Sequence, residues 1–279
     1  QAEDGIRDFL LSLVGSEMCI RDRRSTLSNY SNETICLPGV LLLLLILLSD
    51  DAASQQFVSD NQWVAPHGVA TIIPVVGEEF AIIQLVGALV PEWEFNVALT
   101  RYYDSPEDGS GAYNTGSIFA KHRLSETDDE NGGSSIVFGT GYIPSHREVG
   151  EVVDAFDSYW GNLTYTMAFR EGQVTWDLLP GVIVNVDEGE SGETTQGVTY
   201  ASRVAVYGII PQSAIVAEVY GTVGEARLDP SYRAGIRWES EKLIISATFN
   251  DGLGNSAKGN GVEIGFMYFT DPRFCLKGC

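Results

Sequence analysis

From Gly68 onward the chain alternates apolar and polar positions in segments of strand length, each closed by a turn. Tyr232, Ala234, Ile236 and Trp238 share one face, and Arg233, Gly235, Arg237 and Glu239 share the other. Trp93, Phe95, Val97 and Leu99 alternate with Glu94, Asn96, Ala98 and Thr100. The same holds for Leu163, Tyr165, Met167 and Phe169 against Thr164, Thr166, Ala168 and Arg170. Leu243, Ile245, Ala247 and Phe249 alternate with Ile244, Ser246, Thr248 and Asn250. Successive strand side chains point to opposite sides, so each segment carries one apolar and one polar face. The pattern predicts twelve strands, at 68–76, 80–90, 93–103, 114–124, 135–143, 161–171, 173–187, 197–210, 213–223, 230–240, 242–250 and 261–270. One stretch breaks the period. Val149, Val152, Phe156 and Tyr159 fall at helical spacing behind Pro144, which predicts a short loop helix near 147–159.

The links between strands sort by length. Pro91-Glu92, Gly172, Pro211-Gln212 and Glu241 are tight joints, whereas 104–113, 144–160, 188–196, 224–229 and 251–260 are long. Short links after even-numbered strands place those joints on one rim, the asymmetry of transmembrane barrels. Link 125–134 is long where the rule wants it short, and link 77–79 is short. Alternation alone leaves the inward face open, since a soluble barrel is apolar inside and a membrane barrel apolar outside. Three features favour the membrane. The strands match the roughly 9–11 residues needed to cross a bilayer at a tilt. Aromatics gather near strand ends, at Trp93, Tyr102, Tyr103, Trp160, Tyr207, Trp238 and Tyr268. A soluble barrel this wide is hard to fill with side chains. The expected fold is therefore all-β: an antiparallel up-and-down transmembrane β-barrel over 68–270.

The N-terminal region reads differently. Residues 1–24 end in a SEMCIRDR run and resemble translated sequencing-adapter sequence, a non-native artefact of metagenomic gene calls. Leu37–Leu48 is aliphatic apart from Pro38 and Gly39, too short for the roughly 20 residues of a spanning helix. Small residues at Ala52 and Ser54 follow, so 25–54 reads as a secretory signal peptide. Residues 55–67 then form a mature N-terminal segment and 271–279 a C-terminal tail.

Charge and chemistry narrow the picture further. The chain has 17 Lys and Arg against 38 Asp and Glu, a net charge of −21, which excludes a protein that coats nucleic-acid phosphates. With 44% hydrophobic residues it is too apolar for a disordered chain. Cys275 and Cys279 bracket a short ring, and paired and unpaired states are both open. His67, His122 and His146 lie in separate segments, without an HExxH motif or a Cys/His pair spaced for zinc. His146 follows Ser145, with Asp154 and Asp157 downstream, but the HxSN arrangement of barrel phospholipases is absent. The Gly-rich runs at 108–116 and 251–261 lack phosphate-loop spacing, and the acidic runs 126–130 and 187–190 lack EF-hand positions. The expectation is a non-enzyme with no cofactor, no metal and no catalytic residue.

The twelve-strand plan, the acidic loops, and the endings SYRAGIRWE (231–239) and GVEIGFMYFTDP (261–272) resemble outer-membrane barrels of the transporter type grouped under the MetA pathway of phenol degradation. The likeness spans Gly68 to Pro272 and is one of strand-and-turn texture; it transfers no binding residue. It implies a porin-like barrel in the cell outer membrane of a Gram-negative bacterium, acting as a passive channel or transporter for small solutes, apolar ones included. The implied partners are outer-membrane lipid, the barrel-assembly machinery and a small-molecule solute. Such barrels commonly finish on an aromatic, whereas here ten residues follow Phe269.

On the membrane reading the polar faces put Arg170, Arg203, Arg233 and Arg237 beside Asp177, Glu218, Glu239 and Glu263, and these eight are the lumen-lining candidates. Arg203 and Glu218 lie on strands joined at Pro211-Gln212, where hairpin register brings them together, while Arg237 faces Ile244 to Thr248 with no acid there. Opposed charges in a narrow lumen form either a solute-selecting constriction or a salt-bridge plug. Two further readings stay open: a closed structural or surface-binding barrel, and a soluble periplasmic β-domain with an apolar ligand inside. Arginine at Gly235, on the polar face that meets water or other charges, is expected to be tolerated better than arginine at Ile236.

Overall fold

The structure, a computed structural model, describes residues 61–104, 109–127, 132–148, 151–187, 194–226, 228–253 and 261–274. The expectations for 1–24, 25–54 and the Cys275–Cys279 ring lie outside the described residues. Fifteen strands follow in chain order. They are β1 (Ala70–Gly77), β2 (Phe80–Val90), β3 (Trp93–Tyr102), β4 (Tyr113–Glu126), β5 (Gly133–Ile143), β6 (His146–Glu148), β7 (Glu151–Val153) and β8 (Phe156–Phe169). Then come β9 (Val174–Leu178), β10 (Gly181–Asp187), β11 (Thr194–Tyr207), β12 (Ser213–Gly224), β13 (Leu228–Glu239), β14 (Leu243–Gly252) and β15 (Gly261–Phe269).

Apart from the β6–β7 hairpin, each strand pairs antiparallel with its neighbours, and β1 pairs with β15, so the sheet closes on itself. Strands β9 and β10 lie end to end between β8 and β11, interrupted at Leu179-Pro180. Proline has no N–H to give a ladder. The break is nonetheless bridged: Leu179 exchanges hydrogen bonds with Ala201, and the Pro180 carbonyl accepts from Leu163 N at 2.9 Å. The two strands therefore make one stave, and the barrel has twelve.

Among the described residues of 147–159 the expected helix is absent. Its place is taken by the β6–β7 hairpin and the start of β8 at Phe156. The helical spacing was produced by two unrelated strands. Val152 belongs to the hairpin, whereas Phe156 and Tyr159 begin a new alternation in which Tyr159 faces out and Trp160 is buried. β-Branched Val152 and Val153 favour the extended chain there.

Closure also fixes which face is which. Leu85, Val97, Leu99, Ile118, Leu163, Ile236 and Phe249 are exposed on the outside, while Glu94, Lys121, Asp177, Arg203, Glu218 and Glu263 are buried. This is the reverse of a soluble barrel. The joints at 91–92, 127–132, 170–173, 208–212 and 240–242 share one end, the turn rim, with the start of β1 and the end of β15. Pro91 and Pro211 precede Glu92 (φ 64°) and Gln212 (φ 55°), the type II pattern of a proline followed by a left-handed residue. The longer connections occupy the opposite, loop rim.

Ahead of β1, residues 61–69 run into the barrel from the turn rim. Gln62, Trp63, Val64, Ala65 and Val69 are buried. Gln62 N donates to Thr166 Oγ1 at 3.0 Å, Ala65 N donates to Glu94 Oε1, and Ser135 Oγ donates to Asn61 O at 3.3 Å. Trp63 meets Phe269 edge-on at 6.0 Å.

The expected tolerance at Gly235 does not hold. A Cβ there would lie 2.2 Å from Ala247 O and 2.6 Å from Thr248 Cα, because β13 and β14 approach closely at this point. Two substitutions therefore fail for different reasons. Ile236→Arg puts a charge against hydrocarbon and should destabilise by about 2–4 kcal/mol near the midplane. Gly235→Val forces the strands apart and should be at least as damaging. Urea unfolding of barrels refolded into vesicles measures both; a Gly235→Val barrel of wild-type stability would refute the close approach.

Candidate functional site

The inward faces bring the predicted charges into one row. Asp177 on β9 stands opposite Arg203 on β11, Arg203 opposite Glu218 on β12, Glu218 opposite Arg233 on β13, and Arg233 opposite Asn250 on β14. Signs alternate along this ladder, as directly opposed strand positions favour. Arg203 holds Asp177 Oδ2 through Nη2 at 2.7 Å and Nε at 2.8 Å, and Thr166 Oγ1 donates to the other carboxylate oxygen at 2.6 Å. Arg233 Nη2 reaches Glu263 on β15 at 2.9 Å, with Glu218 4.0 Å from Nη1, and Asn250 Nδ2 donates to Glu263 at 3.2 Å. Arg237 stands opposite Ser246 across β14, but it is not unpaired: its Nε meets Glu239 at 2.5 Å and its Nη2 donates to the Tyr207 hydroxyl at 2.9 Å.

Seven of the eight candidates thus lie on the lumen side. Arg170 does not join them. The strand ends at Phe169, and Arg170 sits exposed in the 170–173 turn with φ 53°. Sequence reading also missed members of the lumen. Glu94 and Lys121 stand opposite each other on β3 and β4, both buried, and Asn162 accepts from Thr199 at 2.8 Å. The usable signal was opposite charge in the polar registers of two consecutive strands, Glu94 in β3 and Lys121 in β4.

Between these walls is a chamber of about 330 Å³. Ile73, Val75, Ile82 and Val86 of β1 and β2 form an apolar side, and Arg203, Arg233 and Arg237 face it from the far arc. Asn61 and Trp63 of the entering segment line it too, toward the turn rim. Ser145 and His146 form no catalytic pair. The Ser145 hydroxyl donates to Val153 O at 3.0 Å, His146 Nδ1 lies 2.9 Å from Pro144 O, and the imidazole stacks on Tyr113 at 4.0 Å.

A closed antiparallel barrel, apolar outside and ionic inside, is the class that fold and lumen define. An outer membrane channel from Pseudomonas putida F1 superposes with TM-score 0.50 at 14% identity, covering 77% of this chain and 99% of that one. The NanC porin gives TM-score 0.44 at 7% identity over 72% of this chain and 97% of its own. LpxR from Salmonella typhimurium gives 0.44 at 10% identity over 72% and 99%. At these identities the likeness is one of fold. No sequence-family model matches the chain, and no curated protein sequence is significantly similar to it.

Two predictions follow from the charges. Arg203→Met leaves Asp177 buried without its cation, which should cost about 3–5 kcal/mol, whereas adding Asp177→Leu should recover most of that loss. Vesicle unfolding of the single and double variants tests this; a double variant no better than the single would refute the pairing. At the turn rim, beyond the strands, the hydrogen bond and charge of Lys242 hold the Asp271 carboxyl below its ordinary value. The folded-state value is depressed, so the pair contributes fully above the ordinary carboxylate pKa and is lost as pH falls through the lowered one. NMR titration should show a low Asp271 midpoint that Lys242→Met returns toward normal.

Proposed function

We propose that the chain is an outer-membrane β-barrel that lets small solutes pass passively, apolar ones included, with outer-membrane lipid and the barrel-assembly machinery as its partners. The observation that carries this reading is the inversion of faces around a hollow lumen. Apolar side chains meet the bilayer, while paired charges and a chamber of about 330 Å³ occupy the inside. The arginine arc then acts as a charged constriction. The loop rim faces the cell exterior and the turn rim the periplasm, the usual arrangement of long and short connections.

One observation favours a second reading, a closed barrel. Residues 61–69 lie across the lumen and are hydrogen-bonded to β3, β5 and β8. Planar-bilayer recording separates the two. A channel should show small wild-type conductance, altered in ion selectivity by Arg233→Ala and raised when the chain is cut back to residue 68. Silence in both the full and the shortened protein would refute the channel and leave the closed barrel. Orientation has its own check. Protease added to intact cells should cut within 104–113, 188–196 or 251–260 and spare Pro211-Gln212; the opposite pattern reverses it.

A further inference from the structure

The chamber's apolar side is interrupted by Thr71, Gln84 and Asn96, and two of these carry a buried polar atom without a partner among the described residues. Thr71 on β1, Val86 on β2 and Asn96 on β3 form one cross-strand row, continued by Phe269 on β15 and Phe119 on β4. Thr71 and Asn96 flank Val86 at two strand spacings, about 10 Å between backbones. Both are nearly inaccessible, at 3% and 4% exposure. Thr71 Oγ1 and Asn96 Nδ2 have no hydrogen-bond partner among the described residues, and neither has the Nε of Arg233, a side chain that lines the same chamber. Gln84 Nε2 donates to Asn96 Oδ1 at 2.9 Å, which engages the amide oxygen, and Asn96 lines the chamber. A buried donor left unsatisfied keeps its desolvation cost uncompensated, so three around one cavity mark where a ligand oxygen gains most.

The rest of the lining sets the ligand's other properties. Ile73, Val75, Ile82 and Phe119 offer a body of hydrocarbon contact. Among ionisable groups facing the chamber, Lys121, Arg203, Arg233 and Arg237 outnumber Glu94 and Glu263, while Asp177, Glu218 and Glu239 sit behind the arginines. A cationic head would meet donors and guanidinium groups. An oxygen acceptor would meet hydrogen.

We infer that the chamber binds an apolar-bodied molecule whose polar end is a hydrogen-bond acceptor, a carboxylate or a carbonyl, held by Thr71 and Asn96 with its body against the β1–β2 wall. This deepens the channel reading by naming the solute class, and it rests on that reading for its physiological sense. Such a ligand fits a site that is mainly apolar, with a few placed polar groups fixing orientation.

The test is equilibrium dialysis of labelled octanoate against the purified full chain in a neutral maltoside, with empty micelles as blank. The expected result is one saturable site per barrel, competed by methyl octanoate and at least tenfold less well by octylammonium. Thr71→Val, which keeps the shape and removes the hydroxyl, and Asn96→Leu should each weaken octanoate about fivefold to tenfold, the loss of one hydrogen bond. Methyl octanoate competing as well as unlabelled octanoate would show that a neutral carbonyl suffices; competition by unlabelled octanoate alone would narrow the acceptor to a carboxylate. Equal competition by octylammonium, wild-type affinity in both variants, or no saturable binding would overturn the inference. Thr71→Val carries the test alone if Asn96→Leu fails to fold, judged by heat-modifiable gel migration. Bilayer recordings on the same preparation keep the two claims apart. Saturable binding with silent bilayers overturns the channel alone, and conductance without binding overturns the ligand site alone.

Discussion

Hydrocarbon supplies no hydrogen bonds, and a backbone N–H or carbonyl left unpaired there costs several kcal/mol. That constraint organises the molecule. It requires the first and last strands to meet, which β1 and β15 do, and it requires any interruption to be bridged. At Leu179-Pro180 the neighbours β8 and β11 supply the missing partners, so a proline of the kind normally confined to edge strands is carried mid-stave. Once the ring is closed, alternation leaves no choice about the side chains. Every second residue faces outward, and the others share a confined interior.

That interior then has to settle its own charges. Ion pairs taken out of water add little net stability, since desolvation consumes most of the attraction. What the ladder from Asp177 to Arg233 supplies instead is register. A slip of one residue turns every side chain to the wrong face, and a slip of two faces Arg203 with an uncharged neighbour. The alternating row is satisfied in one alignment of β9, β11, β12 and β13. The apolar β1–β2 wall carries no such code, and it is there that the lumen stays hollow.

Much of the barrel was readable from the chain because period-two alternation is a local property, and Trp93–Thr100 or Tyr232–Glu239 displays it without reference to anything else. The pairing of Arg203 with Glu218 was also accessible, since a tight hairpin at Pro211-Gln212 fixes its own register. Other features depend on relations between distant strands. Nothing near Arg233 announces Glu263, which reaches it across β14. Val152, Phe156 and Tyr159 imitate helical spacing because a hairpin and a strand happen to abut. Arg170 continued an alternation that the chain had already left for a turn. The segment 61–69 has no periodicity at all, and its position inside follows only from the ring that surrounds it.

That segment has a consequence for how the ring forms. It leads directly into β1, and it is held from both sides of the seam: Gly68 N donates to Ala88 O of β2 at 2.7 Å, while Trp63 packs on Phe269 of β15 and Arg273 N and Phe274 N donate to Gly68 O at 2.9 and 3.0 Å. The contacts join residues near the two ends of the barrel sequence, the most expensive loop closure the chain makes. Seam and segment are therefore coupled. A barrel that opens at β15 loses the Trp63 and Gly68 contacts together with the β1–β15 ladder, while the hydrogen bonds of 61–65 to β3, β5 and β8 remain.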